Sequence, residues 1–472
     1  MSIETIPYQP THKIRIVTAA SLFDGHDAAI NIMRRILQAS GAEIIHLGHN
    51  RTADEIVNTA IQEDVQGIAI TSYQGGHNEF FKYIYDLLKE RNSGHIKLFG
   101  GGGGTILPEE IADLHAYGIA RIYAPDDGRA MGLQGMINDL LRKCDYEIGK
   151  SLKNEIDHLN IQHPHNIARL ITAAENYPEL HQDLFDKLHD RAAETKIPVL
   201  GITGTGGAGK SSLIDELIRR FLMEYKGKTL GIISVDPSKR KTGGALLGDR
   251  IRMNAVNKSN VYMRSMATRQ SNLALSKQVK NALDILKTAG FDMIILETSG
   301  IGQSDTEITD HSDISLYVMT PEFGAPSQLE KIDMLDFADV ISINKFDKRG
   351  AVDALRDVRK QYQRNHQRWH DPLEEMPVFG TIASQFNDPG TNALYRKILD
   401  LVSIKADGKF ASQMELEYGD SEKQYIIPPS RVRYLSEITE ESRKYNAWTA
   451  SQAEIAGQVQ SIQTTIDLLK NN

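Results

Sequence analysis

One glycine-rich stretch has the residue types and spacing that binding of a phosphate chain requires. The stretch "GITGTGGAGKSS" contains Gly204-x-x-x-x-Gly209-Lys210-Ser211, directly after an apolar run and before the helical pattern "SLIDELIRRFL". Glycines let backbone N–H groups approach phosphate oxygens, the lysine reaches the β- and γ-phosphates, and the serine hydroxyl can ligate Mg²⁺. The stretch predicts a P-loop, whose phosphate-binding residues are Gly204, Gly206, Gly207, Ala208, Gly209, Lys210, Ser211 and Ser212.

A second stretch favours guanine as the base of the nucleotide. In "VISINKFDKRG", the tetrad Asn344-Lys345-x-Asp347 ends an apolar run. A carboxylate at this place accepts hydrogen bonds from both N1–H and the exocyclic amine of guanine, which adenine cannot offer. In "FGTIASQF", Ala383 and Ser384 are candidates for a backbone cap over the guanine O6, although an ordinary strand exit explains that stretch equally well.

Acidic residues between these two motifs are candidates for a magnesium site. Asp236 and Glu297 each end an apolar strand-like run, and Asp249 follows Asp236 in a glycine-containing segment. Carboxylates at strand ends near a P-loop are suited to hold Mg²⁺ and its waters. For Asp249 the alternative of a solvated loop acid stays open. The same segment contains three arginines that either reach the transition state or lie in solvent, namely Arg240, Arg250 and Arg252.

The residue after Gly300 bears on the rate of hydrolysis. Small GTPases commonly have glutamine directly after this glycine, whereas here Ile301 follows and Gln303 comes two positions later. The displacement of this water-orienting side chain predicts slow intrinsic hydrolysis.

Before residue 150, three further polar or glycine-rich stretches follow apolar runs. They are Asp24-Gly25-His26-Asp27, the stretch "SYQGGH" at 72–77 and the five glycines at 100–104. A histidine between carboxylates at a turn is a metal ligand, a catalytic base or a cap. A receiver domain needs an acceptor aspartate where Thr71 and Ser72 stand, and a dinucleotide fold needs a glycine fingerprint that is absent after the first run.

The elements that must position these residues form two alternating patterns. From Lys13 to about Lys150 the runs "KIRIVTAA", "AEIIHLG", "GIAITS", "IKLFGG" and "GIARIYA" read as strands separated by helical patterns. Such alternation predicts a parallel α/β sheet, here a flavodoxin-like domain over 1–150 whose polar stretches meet at one mouth. We predict a helical linker at 151–196, a P-loop GTPase domain at 197–404, and a helical linker or docking segment at 405–472.

Composition excludes several classes of function. The 472 residues carry a formal net charge of -8, which argues against a general nucleic-acid binder. The single cysteine, Cys144, excludes an internal disulfide framework. No apolar stretch approaches membrane-spanning length, and the start "MSIETIPYQPTHK" lacks the apolar region of a signal peptide. We therefore expect a cytoplasmic protein.

The second pattern resembles a known family. The segments "VDPSKRKTGGALLGDRIRM" and "ETSGIGQSDTEI" together with the P-loop resemble the metallochaperone-type GTPases that service adenosylcobalamin-dependent acyl-CoA mutases. The helical stretch "NIARLITAAEN" also resembles their N-terminal helix, so the resemblance runs over about 165–400. It implies that Lys210, Asp236, Asp249 and Glu297 form the catalytic magnesium site with Ser211, which favours the ligand role of Asp249.

The first domain resembles the cobalamin-binding domain of base-off, His-on enzymes. Their motif is Asp-x-His-x-x-Gly, then Ser-x-Leu, then Gly-Gly. Ala29 replaces the first motif glycine and Gln74 the leucine. The residues at the remaining motif positions are Asp24, Gly25, His26, Ser72, Gly101 and Gly102.

This second resemblance implies roles for the matched residues. His26 would ligate cobalt from the lower face of the corrinoid, and Asp24 would orient its imidazole. Ser72, at the Ser-x-Leu position with Gln74, and the glycines would line the slot for the displaced nucleotide tail. Asp27 is left as a cap of the following helix.

The order of the two domains resembles the fused isobutyryl-CoA mutases, in which a linker and a substrate-binding (β/α)₈ barrel follow on the same chain. A barrel needs about 250 residues, and only 68 residues follow Ile404. We expect the acyl-CoA mutase barrel to lie on a missing portion or on a separate subunit. A homodimer also stays open, because the related GTPases tend to dimerise.

Three functions remain open from the sequence. The first is a GTPase that binds adenosylcobalamin and gates cofactor loading or protects a mutase partner. The second is a cobalamin carrier in which GTP is a conformational signal and turnover is incidental. The third is a flavodoxin-like interaction domain that binds no corrinoid.

Overall fold

A parallel sheet covered by helices forms the first part of the chain. The computed structural model describes residues 5–269, 278–298, 300, 305–406, 408, 410, 412, 419, 421–422, 428 and 431–471. The first five strands are Arg15–Ser21 (β1), Glu43–Arg51 (β2), Gly67–Thr71 (β3), Lys97–Gly101 (β4) and Arg121–Tyr123 (β5). The helices that alternate with them are Ala28–Ala39 (α1), Ala53–Gln62 (α2), His77–Glu90 (α3), Pro108–Tyr117 (α4) and Pro125–Cys144 (α5).

The strand order confirms the predicted flavodoxin-like fold. The strands lie in the order β5-β4-β3-β1-β2, and neighbouring strands are parallel. β1 is buried along its whole length because helices cover both faces of the sheet. Ala20 pairs with Thr71, which in turn pairs with Gly101. The three polar stretches therefore leave the sheet at one level and form a common mouth between β1 and β3.

The second sheet has the architecture of a P-loop domain. The remaining strands, in chain order, are Val199–Gly204 (β6), Leu230–Asp236 (β7), Ala245–Leu247 (β8), Val261–Ala267 (β9), Met293–Thr298 (β10), Ile314–Met319 (β11), Val340–Asn344 (β12) and Val378–Thr381 (β13). All except β8 form a parallel sheet in the order β13-β12-β11-β6-β10-β7-β9. The helices are Pro164–Asn176 (α6), Gln182–Ala193 (α7), Lys210–Glu224 (α8), Val279–Ala289 (α9), Pro326–Leu329 (α10), Ala351–Asn365 (α11) and Pro389–Lys405 (α12).

Strand β8 does not join the second sheet. Its three residues pair in parallel with Glu43, Ile44 and Ile45 of β2, so β8 is the sixth strand of the first sheet. The short segment gave no periodic signal in the sequence. The two sheets are thus connected by main-chain hydrogen bonds as well as by side chains.

The segments on either side of the second sheet pack differently from the predicted linkers. Ile167 and Phe185, on α6 and α7, are buried in the same hydrophobic cluster as the second sheet. Ala406 and Phe410 are buried against α8, so the fold continues past the predicted boundary at 404. The chain divides instead into a unit of 1–422 and a unit of 423–472.

The unit of 423–472 contains one long helix, Tyr434–Lys470 (α13). Its exposed apolar side chains include a series at spacings of three, four or seven residues, namely Ile438, Tyr445, Trp448, Ile455, Val459, Ile462, Ile466 and Leu469. In the described part of the chain, every helix is too short or too polar to span a bilayer.

Candidate functional site

The P-loop connects β6 to α8. Gly204 has a φ of +148°, and a Cβ added there would lie 1.9 Å from the carbonyl oxygen of Val318, so only glycine fits. Lys210 is buried, and its ammonium donates to the carbonyl oxygens of Gly204 at 2.9 Å and of Thr205 at 3.4 Å. A cavity of about 150 Å³ is lined by Gly206, Gly207, Gly209, Lys210, Ser211, Ser212, Asp236, Asp249, Arg252, Glu297 and Thr298.

Two predicted ligand carboxylates meet at the hydroxyl of Ser211. The Ser211 Oγ lies 2.9 Å from Asp249 Oδ1 and 3.1 Å from Glu297 Oε1. On the other side, the Ser234 hydroxyl donates to Asp249 Oδ2 at 2.6 Å. Asp249 is therefore held inside the site, and the alternative of a solvated loop acid is wrong.

The third predicted carboxylate lies beside this pair. Asp236 accepts a hydrogen bond from the N–H of Gly248 at 3.3 Å and does not contact Ser211 directly. Burial and the charge of Asp249 raise the pKa of Asp236 well above its usual value, and the same two causes act on Glu297. The site is thus crowded with carboxylates that have few positive partners.

The donor set fits a hard divalent cation such as Mg²⁺. It offers a hydroxyl and carboxylate oxygens, and a cation relieves the mutual repulsion of the acids. Among the described residues, no three His, Cys, Asp or Glu side chains already share metal-ligand geometry. Mg²⁺ commonly takes one or two carboxylates and completes its shell with phosphate oxygens and water, so Ser211, Asp249 and Glu297 suffice.

The guanine motif is joined to the P-loop by hydrogen bonds. Asn344 donates through Nδ2 to the carbonyl oxygen of Ala208 at 2.7 Å, and its Oδ1 accepts from the N–H of Ala383 at 3.1 Å. The Lys345 ammonium donates to the carbonyl oxygen of Gly207 at 2.8 Å. Asp347 and Ser384 lie exposed after β12 and β13. The P-loop, the Asn-Lys-x-Asp tetrad and the cap segment are therefore adjacent at one edge of the sheet.

The three arginines of the segment after Asp236 have different surroundings. Arg240 and Arg252 are exposed, and Arg252 lines the P-loop cavity. Arg250 is buried, and its Nε donates to Glu63 of the first domain at 2.8 Å. Both sequence interpretations of Arg250 are thus wrong, because its guanidinium is engaged by a carboxylate of another domain. Ile301 and Gln303, on which slow hydrolysis was predicted, lie outside the described residues.

In the first domain, Asp24 and His26 form a connected pair. Asp24 is buried, whereas the side chain of His26 is 74% exposed. Asp24 Oδ1 accepts from the backbone N–H of His26 at 2.9 Å and lies 2.8 Å from His26 Nδ1. The other oxygen accepts from the N–H of Tyr73 at 2.6 Å.

This geometry fixes the state of both side chains. Burial alone raises the pKa of Asp24, but the N–H bonds from Tyr73 and His26 outweigh it and hold the pKa below its usual value. The ionised carboxylate keeps the imidazole proton on Nδ1, which leaves Nε2 as the nitrogen that can ligate a metal. Asp27 is at the N-cap of α1, but its carboxylate accepts from the Asn31 side chain and makes no capping bond, so that part of the cap prediction is wrong.

The other predicted residues of the first domain surround the mouth. Ser72 is buried and accepts from the Ser21 hydroxyl at 2.9 Å, and the Gln74 amide donates to the carbonyl oxygen of Leu22. A Cβ added at Gly102 would lie 2.0 Å from the carbonyl oxygen of Ser72, whereas one added at Gly25 would meet nothing within 4 Å. Gly101 and Gly102 line a largely apolar cavity of about 220 Å³ between the sheet and α1 and α5.

Sequence reasoning missed several residues of both sites. Tyr73 supplies an N–H to Asp24 and places its ring 5.5 Å from that of His26. Met33 and Met136 line the first-domain cavity from two helices, and Ser234 orients Asp249. Only Ser234 had a sequence signal, as a polar residue two positions before Asp236 in an otherwise apolar strand.

Comparison with protein families agrees with both halves of this description. The model of the methylmalonyl Co-A mutase-associated GTPase MeaB family matches residues 167–415. The model of the B12 binding domain matches residues 14–131.

Individual relatives agree with the family matches. A protein of Geobacillus kaustophilus named fused isobutyryl-CoA mutase is 56% identical over 469 residues, which cover 98% of this chain and 43% of that protein. A protein of the same name from Cupriavidus metallidurans is 53% identical, with coverage of 98% and 42%. The mitochondrial methylmalonic aciduria type A homolog of Caenorhabditis elegans is 33% identical over 31% of this chain and 37% of its own length. The chain spans less than half the length of the two fused relatives, and it belongs to the family of methylmalonyl Co-A mutase-associated GTPases (MeaB), with a B12 binding domain ahead of the GTPase domain.

Proposed function

We propose that this chain hydrolyses GTP with Mg²⁺, binds adenosylcobalamin, and uses the GTPase cycle to gate loading or protection of that cofactor for an acyl-CoA mutase. The observation that supports this proposal best is the convergence of Ser211, Asp249 and Glu297 beneath a P-loop that Asn344 ties to the guanine motif. Such an arrangement suits phosphoryl transfer, in which positioning and charge neutralisation do most of the work.

Each residue of the GTPase site has a proposed part. Ser211, Asp249 and Glu297 would hold Mg²⁺, with Asp236 nearby, and the ion would supply positive charge beside the phosphates of the nucleotide. The Lys210 ammonium exchanges its carbonyl partners for phosphate oxygens as water attacks the γ-phosphorus in line. Asp347 accepts the two guanine N–H groups, and the Ala383 and Ser384 segment covers O6.

The first domain has a matching proposal for the cofactor. His26 would offer Nε2 to cobalt while Asp24 holds the proton on Nδ1, and the cavity lined by Gly102 and α5 would take the nucleotide tail. The exposed imidazole, 5.5 Å from the Tyr73 ring that lines this glycine-containing apolar cavity, fits that ligand. The bound cofactor supplies the radical chemistry of the rearrangement, which the protein residues only position.

The proposed system is an isobutyryl-CoA or butyryl-CoA mutase, and the two fused relatives are named isobutyryl-CoA mutases. The barrel that binds the acyl-CoA would then belong to the rest of a longer chain or to a separate subunit. A homodimer of this chain is a further proposed state.

Phosphate release with GTP and with ATP, with and without Mg²⁺, tests the GTPase. We expect Mg²⁺-dependent turnover of GTP over ATP, lowered at least about 100-fold by Lys210→Ala. Asp347→Ala should remove the preference for guanine, whereas Asp353→Ala, at an exposed acid of α11, should leave it unchanged. Equal turnover of both nucleotides by the unmodified protein contradicts the assignment.

The alternative is a cobalamin carrier in which GTP is only a conformational signal and turnover is incidental. Turnover measured with and without a barrel-bearing partner separates the two functions, because a gate should respond to the partner. If Lys210→Ala leaves cobalamin loading unchanged, gating by nucleotide hydrolysis is wrong.

The visible spectrum of bound adenosylcobalamin tests the cofactor site. We expect a base-off, His-on spectrum that His26→Ala abolishes. Retention of that spectrum in the variant would remove His26 as the cobalt ligand.

A further inference from the structure

The chain between two predicted magnesium ligands leaves the GTPase domain and returns to it. Asp236 ends β7, Asp249 follows β8, and β8 lies in the first sheet beside β2. Because β8 runs parallel to β2, its carboxyl end and Asp249 lie toward the same edge of that sheet as the His26 loop. One side of the nucleotide site is thus supported by the cobalamin-binding domain.

Close backbone contacts seat this segment on the first domain. The N–H of Ala245 donates to the carbonyl oxygen of Ala42 at 3.2 Å. A Cβ added at Gly244 would lie 2.1 Å from the carbonyl oxygen of Gln38, so the two segments touch directly there. Gly244 and Ala245 therefore contact the first domain directly, a few residues before the chain reaches Asp249.

Arg250 completes the attachment directly after Asp249. Its Nε donates to Glu63 Oε1 at 2.8 Å and its Nη2 to Gln62 Oε1 at 2.8 Å, both at the end of α2 in the first domain. Nη2 also donates to the carbonyl oxygen of Met263 on β9. Arg250 and Glu63 are both buried, so this ion pair is shielded from solvent and sensitive to geometry.

We propose that Arg250 is a positioning residue for the magnesium site, through which the cobalamin-binding domain sets the place of Asp249 opposite Ser211. This inference rests on the proposed nucleotide site. It adds that Glu63, a carboxylate of the first domain, influences the position of Asp249 through Arg250. Since coupling between sites is reciprocal, occupancy of the nucleotide site then also acts on the first domain through the same contacts.

The test compares two buried arginines that differ in their link to Asp249. Arg264 is as buried as Arg250 and binds Glu175 at 2.5 Å, but it lies in the middle of β9 and not beside a magnesium ligand. We would measure the affinity of Arg250→Lys and Arg264→Lys for a fluorescent, non-hydrolysable GTP analogue over a range of Mg²⁺ concentrations. Thermal unfolding of the same samples reports the structural cost of each change.

For Arg250→Lys we expect the Mg²⁺ concentration at half-maximal nucleotide affinity to rise about fivefold or more, with little change in affinity without Mg²⁺. Arg264→Lys should lower the unfolding temperature and leave the Mg²⁺ dependence as in the unmodified protein. Equal shifts in the two variants, or no shift in Arg250→Lys, overturn the inference.

A second variant keeps the test decisive if Arg250→Lys does not fold. Gln62→Ala removes one partner of the same guanidinium from the first domain, and a shift of about twofold in the same direction supports the inference, while none overturns it. The outcome is separable from that of the proposed function. If the unmodified protein binds the analogue without any Mg²⁺ dependence, the proposed nucleotide site itself is wrong.

Discussion

At the scale of single residues, the first-domain site depends on one buried carboxylate. Asp24 accepts two backbone N–H groups and the imidazole of His26, so its position is fixed by the loop and in turn fixes the ring. Among the described residues the exposed imidazole makes no other polar contact, so the carboxylate is the main source of its orientation. Removing the charge should therefore affect ligand affinity more than folding.

Replacing Asp24 with asparagine tests this dependence. We expect Asp24→Asn to weaken binding of adenosylcobalamin about 10- to 100-fold, because an amide holds the Nδ1 proton less strongly and makes Nε2 a poorer ligand. Titration followed by the visible spectrum measures the loss. The matched variant Asp27→Asn should bind normally, since that carboxylate hydrogen-bonds to the Asn31 side chain and not to His26 among the described residues; equal losses in the two variants would contradict the role of Asp24.

His46, a buried residue of β2, should give the stability of the chain a distinct pH dependence. Burial, aided by the charge of Arg34, lowers the pKa of His46 to about 4. In the unfolded chain a histidine titrates near pH 6.5, so between about pH 6.5 and 4 the unfolded state binds a proton that the folded state does not. The free energy of unfolding should fall by up to about 3 kcal/mol as the pH drops through this window.

Chemical denaturation at several pH values measures this effect. His46→Gln should make the free energy of unfolding flatter between pH 6.5 and 4 than in the unmodified protein. An unchanged slope would show that other groups cause the acid sensitivity.

At the scale of elements, the five glycines at 100–104 are not equivalent. A Cβ at Gly102 would lie 2.0 Å from the carbonyl oxygen of Ser72, whereas one at Gly104 would meet nothing within 4 Å. Gly102 must therefore be glycine, because any side chain would clash with the backbone that follows β3, whereas Gly104 has room for a side chain. The backbone that follows β3 therefore determines which of these two positions must be glycine.

Two alanine substitutions in this run should therefore differ. Gly102→Ala should lower the free energy of unfolding by about 1–3 kcal/mol through overpacking and should weaken cobalamin binding, because the loop must shift at the mouth. Gly104→Ala should change neither. Urea denaturation and cofactor titration of both variants measure the difference, and similar behaviour of the two would contradict this geometry.

Some elements of the fold could be predicted from the sequence, and others could not. The five strands of the first domain, the four helices between them and the P-loop were predictable because their signals are local: a buried strand is a short apolar run, and Gly209-Lys210-Ser211 has a fixed spacing. Strand β8 was not, since three residues have no periodicity and their partner lies about 200 positions earlier. The buried position of Arg250 follows from this pairing of β8 with β2. Because the pairing was not predicted, the contact of Arg250 with Glu63 was not predicted either.

At the scale of the whole molecule, buried charges connect the two domains. Arg15 of the first domain binds Glu43 and Glu63 of its own domain and Glu175 of α6. Further arginines reach the same acids from the second domain, namely Arg250, Arg264 and Arg269. Each half alone therefore has an unbalanced set of charges, acidic in the first and basic in the second.

This imbalance predicts that Glu63→Gln has opposite effects in two contexts. In a fragment of residues 1–150, Glu43 and Glu63 keep Arg15 as their shared ion-pair partner but lose Arg250 and Arg269, so loss of one charge should raise the free energy of unfolding. In residues 1–422 the same change removes the negative charge that pairs with Arg15 and Arg250 and should lower the free energy of unfolding by several kcal/mol. Urea denaturation of the four proteins measures both effects, and the same sign in both contexts would contradict the argument.

The three-residue strand β8 also has a consequence for how such proteins are assembled by evolution or by design. A GTPase domain grafted onto another cobalamin-binding domain needs more than a linker of suitable length. The acceptor must present a β2 edge with the same register and a glycine-sized gap over Gln38, and it must supply an acid where Glu63 stands. Chimaeras that exchange the two domains at a linker should therefore fail unless residues 239–251 are exchanged together with the first domain.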